Sequence, residues 1–341
     1  MIHTIGIVSL SSGTIGEEKV RFEVEIGLKR LKAMGLEVRF LPHALMGSDY
    51  VRDHPAERAA DLLEAFRDPE IDMILCAIGG DDTCRLLPWL FERDELRHAV
   101  IRKPFLGFSD TTGNHLMLHK LGLPTFYGQS FLSDVCELSE EMLPYTREYF
   151  EELIRTGTIR EVRPSPIWYS SREKFTPDQA GVPLSAHADR GFELLQGPAV
   201  FSGPVLGGCI DSLYDLFEGE EYRELQILAS KYSLFPGTED WRGRILLLES
   251  SEVLMPPDKY RRALTLLKEK GLFSVISGIL VGKPMDEVYR EEYHRILVEE
   301  VDDPALPILA NLNIGHALPR CIIPFGVEAH VDAAAQRITF G

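Results

Sequence analysis

A serine, a glutamate and a histidine, far apart in the chain, each stand just past an apolar run. Ser109 follows PFLGF and opens a segment that carries Leu116 and His119 at helical spacing. Glu249 ends RILLLE, and His316 lies in GHALP after PILANLNI. A serine hydroxyl becomes a nucleophile only when a base takes its proton, and histidine is the side chain best matched to that task near neutral pH. A carboxylate can then fix the imidazole tautomer and stabilise its cation. The oxyanion formed on attack needs N–H donors, for which Asp110, next after the serine, and Gly79 or Gly80 are candidates. Each group also has a plainer reading. Ser and Asp are preferred helix N-caps, a strand-end glutamate is commonly solvated, a lone histidine is usually structural, and paired glycines can simply turn the chain.

The elements around these residues decide which reading applies. HTIGIVSL reads as a buried strand, and Glu17–Met34 as an amphipathic helix with Val20, Val24, Leu28 and Leu31 on one face. LEVRFLP, IDMILCAI and PFLGF continue as strands, with helices near Ala56–Phe66 and Thr83–Phe91 between them. Such alternation predicts a parallel sheet covered on both faces, with ligands beyond the carboxyl ends of its strands. That rule gathers Ser9–Gly13, Gly79–Asp82 and Ser109–Thr112 on one rim. From about Glu161 to Gln196 the pattern fades into a segment rich in Pro, Ser and charge, with Trp168, Tyr169 and Phe175 interspersed. Long irregular segments of this kind are usually functional lids or linkers. Periodicity then returns through GPVLGG, RILLLE, VISGILVG and PILANLNIGH, with helices at about Cys209–Phe217, Pro257–Lys270 and Tyr289–Val301, and VEAHVDAAAQRITF reads as a closing hairpin.

Composition narrows the function classes. The 341 residues carry a formal net charge of -17, which argues against a nucleic-acid polymer as partner. No apolar run approaches the roughly 18 residues of a membrane span, and the N-terminus lacks signal-peptide character. The five cysteines are odd in number and form no CxxC, so a disulfide framework or zinc site is not indicated; reduced thiols in the cytoplasm are expected. HLMLH places His115 and His119 four apart, but without the glutamate of HExxH it reads as helix packing. The first strand–helix turn, SLSSGTIG, lacks the GxGxxG of a nicotinamide site, so neither a metal nor an organic cofactor is expected.

Several separated motifs together resemble one family. IGIVSLSSG, AIGGDDTCRLLPWL, GFSDTTGNHLML, FYGQS, PVLGGCIDSL, ILLLESSE, GILVGKP and NIGHALPRCIIPFG are similar to the LD-carboxypeptidase family of serine peptidases over nearly the whole chain. The resemblance implies a flavodoxin-like N-terminal domain (1–160), an inter-domain, substrate-covering loop (161–200) and a smaller C-terminal α/β domain (201–341), commonly as a homodimer. It maps the family's Ser-Glu-His triad onto Ser109, Glu249 and His316, with the N–H groups of Gly80 and Asp110 as the oxyanion hole. The GGDD loop and the length look more like the microcin C immunity (MccF-like) branch, which cleaves the amide joining an amino acid or peptide to a modified nucleotide. The alternative is trimming of murein tetrapeptides. Expected substrate contacts are Gly79, Asp81 and Trp168, the last as a nucleobase platform. Phe192 stands where that branch often has Trp, and the loop does not reproduce its tryptophan pattern clearly. Asp81 and Asp82 are also read as loop-shaping or helix-capping residues. Arg85, Lys283 and Arg320 are possible partners for a substrate carboxylate. A non-catalytic small-molecule binding module is the rival outside the family.

Overall fold

Strands buried on both faces read as unbroken apolar runs, and the chain has two sets of them. The computed structural model describes residues 1–219 and 222–341. The first set is β1 (Thr4–Val8), β2 (Glu37–Phe40), β3 (Met73–Cys76), β4 (Phe105–Gly107) and β5 (Thr125–Tyr127). Every residue of β1, β3, β4 and β5 is buried, whereas β2 lies at an edge and is half-exposed. These five strands are parallel, in the order β5-β4-β3-β1-β2. Strand order reverses around β1, which opens a crevice at the carboxyl ends.

The segment read as irregular contains four short strands, β6 (Glu161–Val162), β7 (Ile167–Tyr169), β8 (Ala186–Ala188) and β9 (Glu193–Gln196). β7 and β8 form a two-stranded antiparallel ribbon. The other two join the second sheet, whose members are β10 (Val200–Cys209), β11 (Ile245–Glu249), β12 (Gly278–Gly282), β13 (Ile308–Leu312), β15 (Glu328–Asp332) and β16 (Arg337–Phe340). Its order is β6-β16-β15-β10-β11-β12-β13-β9, with β10 to β13 parallel. One strand crosses over: β14 (Ile323–Phe325) pairs antiparallel with β5 and completes the first sheet as its sixth strand. The architecture is thus α/β throughout, a parallel-sheet N-terminal domain with a second sheet-containing domain.

The crevice is held by buried polar contacts. Arg58, only 1% exposed, lies on the helix Pro55–Arg67. Its guanidinium donates to the carbonyls of Leu10 and Ser11 and to both carboxylate oxygens of Asp82. Asp82 therefore anchors the GGDD loop through Arg58 and makes no side-chain cap on the turn that follows. Arg58→Ala leaves the mostly buried Asp82 carboxylate with Arg85 alone and is expected to destabilise the fold by about 3 kcal/mol. The check is a lower urea midpoint at unchanged slope.

Candidate active site

Ser109 sits on a sharp strand-to-helix turn. Its φ of 65° lies in the left-handed region, disfavoured for residues with a Cβ, and such strain clusters at functional turns. A 3-10 turn begins at Ser109 itself, and the helix Thr112–His119 follows. The serine is therefore not the cap residue but the elbow, with its hydroxyl lifted off the carboxyl end of β4. Gly79 packs on it directly. A Cβ at position 79 would lie 2.7 Å from the Ser109 Cβ and 2.8 Å from its Oγ, so only glycine fits. Asp110 turns inward and is buried, accepting from the Ser11 hydroxyl and from the Thr83 N–H at 2.9 Å. Burial raises its carboxyl to about 6. This carboxylate ties together the loops that follow β1, β3 and β4. Gly80 and Asp81 are exposed on the same rim.

The second sheet brings the other two residues to the serine. Glu249 ends β11, and His316 lies four residues past the end of β13, in a turn rather than in the strand. Ser109 Oγ is 3.1 Å from His316 Nε2, and His316 Nδ1 is 2.8 Å from Glu249 Oε2. Gly315 (φ 87°) allows the close approach, since a Cβ there would fall 2.3 Å from Glu249 Oε2. The three predicted residues thus form one hydrogen-bonded chain, although they come from two sheets.

Further residues shape this chain. Tyr127 ends β5 beside β4; its hydroxyl donates to Glu249 Oε1 at 2.5 Å and accepts from the Ser109 N–H at 3.1 Å. Burial, with Glu249 adding to it, raises the phenol well above its usual range, so it stays a donor. Thr112 links the domains, donating to the Ser109 carbonyl at 2.7 Å and accepting from the Cys209 N–H at 3.0 Å. Arg320 donates to the carbonyls of Gly315 and His316 and to Asp134 Oδ1, fixing the histidine turn to the N-terminal domain. None of these roles came from the sequence. The FYGQS motif contains Tyr127, and its place at the end of the strand next to the one that leads into Ser109 is the available signal.

One contact was wholly unforeseen. Glu252 Oε2 lies 3.0 Å from His316 Nε2, the nitrogen that also faces Ser109. Burial alone would push His316 down, but Glu249 and Glu252 outweigh it and raise the imidazole to about 9. The hydrogen bond to His316 lowers Glu252 to about 2.

Donor atoms of Cys209, Glu249 and His316 lie within 4.8 Å of one another. The glutamate and histidine, however, already spend theirs on each other, and burial raises the Cys209 thiol well above its usual range. That geometry suits a hydrogen-bonded pair with a packed thiol. His115 is a core residue, bonded to Thr125 Oγ1 and the Gly107 carbonyl. Trp168 lies in β7, half-buried and stacked on His187 with ring centroids 4.2 Å apart. Lys283 Nζ approaches the Trp168 ring to 5.6 Å. The Tyr169 N–H donates to the Leu318 carbonyl, which ties this ribbon to the His316 turn. Phe192 is buried and is no platform. All three cations considered for a substrate carboxylate are engaged: Arg85 by the Arg52 carbonyl and Asp82, Lys283 by Asn311, Glu287 and Asp189, and Arg320 as above.

A serine, a histidine and a carboxylate bonded in series beside the carboxyl ends of parallel strands are an arrangement that serine hydrolases use. Models of the LD-carboxypeptidase N-terminal and C-terminal domains match residues 5–128 and 202–331, and the chain belongs to that family, S66. An MccF-like protein from Streptococcus pneumoniae, solved in complex with AMP, is 57% identical over 100% of this chain and 99% of its own, with a TM-score of 0.99. The microcin C7 self-immunity protein MccF of Escherichia coli is 25% identical, covering 98% of this chain and 92% of its own. A Bacillus subtilis protein named a probable murein peptide carboxypeptidase is 26% identical, covering 98% and 90%. No helix among the described residues is long and apolar enough to cross a membrane.

Proposed function

We propose that the chain hydrolyses the amide between an amino acid or short peptide and a modified nucleotide, with Ser109, His316 and Glu249 as its catalytic triad. The carrying observation is the chain of contacts from Ser109 Oγ through the imidazole to Glu249. In this reading Ser109 Oγ attacks the amide carbonyl while His316 Nε2 takes its proton. The N–H groups of Asp110 and Gly80 receive the oxyanion. His316 then protonates the leaving nitrogen, and water releases the acyl group by the reverse relay. Glu249 holds His316 Nδ1–H and stabilises the cation, while Tyr127 holds Glu249.

The nucleotide half of the reading is supported by the likeness to the pneumococcal protein solved with AMP. Trp168, with His187 already stacked on it, offers an aromatic surface for a base, a mode that tolerates sequence variation. Gly79 and Asp81 would line the acyl side. A homodimer in the cytoplasm completes the proposal. All five cysteines are buried and unpaired, which suits a reducing compartment. Murein tetrapeptide trimming is the second reading, favoured by the likeness to the Bacillus subtilis protein. Aspartyl-sulfamoyl-adenosine and a murein L,D-tetrapeptide, offered side by side and followed by mass spectrometry, separate the two. Cleavage of the nucleotide conjugate alone is expected. Cleavage of the tetrapeptide alone would replace the reading with cell-wall recycling.

A further inference from the structure

Resting on the assignment of Ser109 as nucleophile and His316 as base, we propose that Glu252 selects substrates that carry an ammonium group beside the scissile carbonyl. Without such a group the Glu252 carboxylate rests on His316 Nε2 and holds a proton there; a bound ammonium draws the carboxylate away, the imidazolium gives its Nε2 proton to solvent, and the neutral nitrogen then faces Ser109.

The argument starts from hydrogen bookkeeping. A carboxylate only accepts hydrogen bonds, so its 3.0 Å contact with Nε2 requires a hydrogen there. Nδ1 already needs its hydrogen for Glu249 at 2.8 Å. With both nitrogens protonated the ring is an imidazolium, which cannot take the proton of Ser109. The resting contact therefore blocks the base, and Glu252 must leave for the reaction to start. It is free to do so, because it lies on the loop after β11 with its side chain 62% exposed.

A displaced, exposed carboxylate is met by water unless a cation holds it. Arg320, Lys283 and Arg85 are each committed to other partners, as described above. Among the described residues, the other groups facing the imidazole are Glu249, Asp211 and the protonated Cys209 thiol, none of them positive. A cation on the substrate is then the group that holds Glu252 away from His316. An α-ammonium is two bonds from the carbonyl carbon that must meet Ser109 Oγ, and Ser109 and Glu252 share one nitrogen. A long exposed glutamate can span that distance. The same carboxylate repels a substrate that presents its own carboxylate there.

The test uses the full-length protein and initial rates of Ser109 labelling by a fluorophosphonate, slowed by added aspartyl-sulfamoyl-adenosine or by its desamino counterpart, succinyl-sulfamoyl-adenosine. In the wild type the aspartyl compound is expected to protect at a concentration roughly tenfold lower or better. In Glu252→Gln the two should protect nearly equally, while Glu252→Asp, which keeps the charge, retains part of the preference. The acid limb of the labelling rate should also move to lower pH in Glu252→Gln, because His316 loses one of its two carboxylates. A merely structural glutamate would weaken both compounds alike and leave their ratio in place. Equal protection in the wild type, or an undiminished ratio in Glu252→Gln, overturns the proposal. Wild-type labelling slower than that of Glu252→Gln supports the resting block, whereas failure of both proteins to label counts against Ser109 as nucleophile.

Discussion

Ser109→Ala is expected to lower kcat/KM for the cleaved conjugate by about 10⁴–10⁶-fold, the scale on which removing a triad nucleophile acts. The substitution deletes one oxygen, whose protein partner is His316. It leaves the strained backbone as it is, since alanine and serine both carry a Cβ at the φ of 65°. Thermal unfolding should therefore match the wild type, and a retained melting temperature separates lost chemistry from lost fold. Residual hydrolysis would come from binding and the N–H donors alone. An intact-mass gain on fluorophosphonate treatment should vanish with the hydroxyl. Activity within tenfold of wild type would sink the assignment.

Glu249→Gln comes next in size, and is expected to cost about 10³–10⁴-fold through the tautomer it imposes. Both oxygens of Glu249 accept hydrogens, one from His316 Nδ1 and the other from the Tyr127 hydroxyl. A glutamine has one oxygen and one NH₂ for these two donors. With the NH₂ toward Nδ1, the imidazole proton is driven to Nε2 and the base faces Ser109 the wrong way round. With the NH₂ toward Tyr127, the phenol loses its acceptor while still receiving the Ser109 N–H. The pH profile gives a second readout. In the wild type both carboxylates raise His316 to about 9, so the neutral, proton-accepting form gains population as pH rises through that value. Loss of the Glu249 charge lowers the imidazole, and the rise in kcat/KM should move toward lower pH. An unmoved acid limb would mean that another group is titrating.

The parts of this picture that could be read from residue order share a physical basis. β1, β3, β11, β12 and β13 are continuous apolar runs because parallel strands are covered on both faces. Polar residues at their carboxyl ends then fall on one rim by topology alone, which made Ser109 and Glu249 visible as candidates and His316 nearly so. What stayed hidden depends on contacts between distant segments. Tyr127 matters because β5 lies next to β4 and faces β11, and its partner Glu249 is 122 positions away. Glu252 looked like any loop glutamate until the histidine turn was placed beside it. The short strands within 161–200 take their hydrogen bonds from β16, β13 and each other, so their own sequence carries little pattern. The helices Ser48–Asp53 and Glu95–Ala99 are too short to show a period.

The crossing strand β14 has a consequence for synthesis. Ile323–Phe325 closes the open edge of the first sheet by pairing with Thr125–Tyr127, so the first sheet cannot be finished until the chain has been made nearly two hundred residues beyond β5. The strand that carries Tyr127 is paired with β4 on one side only in the meantime. A chain without β14 exposes the edge of β5, which invites association with other chains. The edge that could misassemble is covered only when those segments of the second sheet that lie between β5 and β14 in the chain have been made.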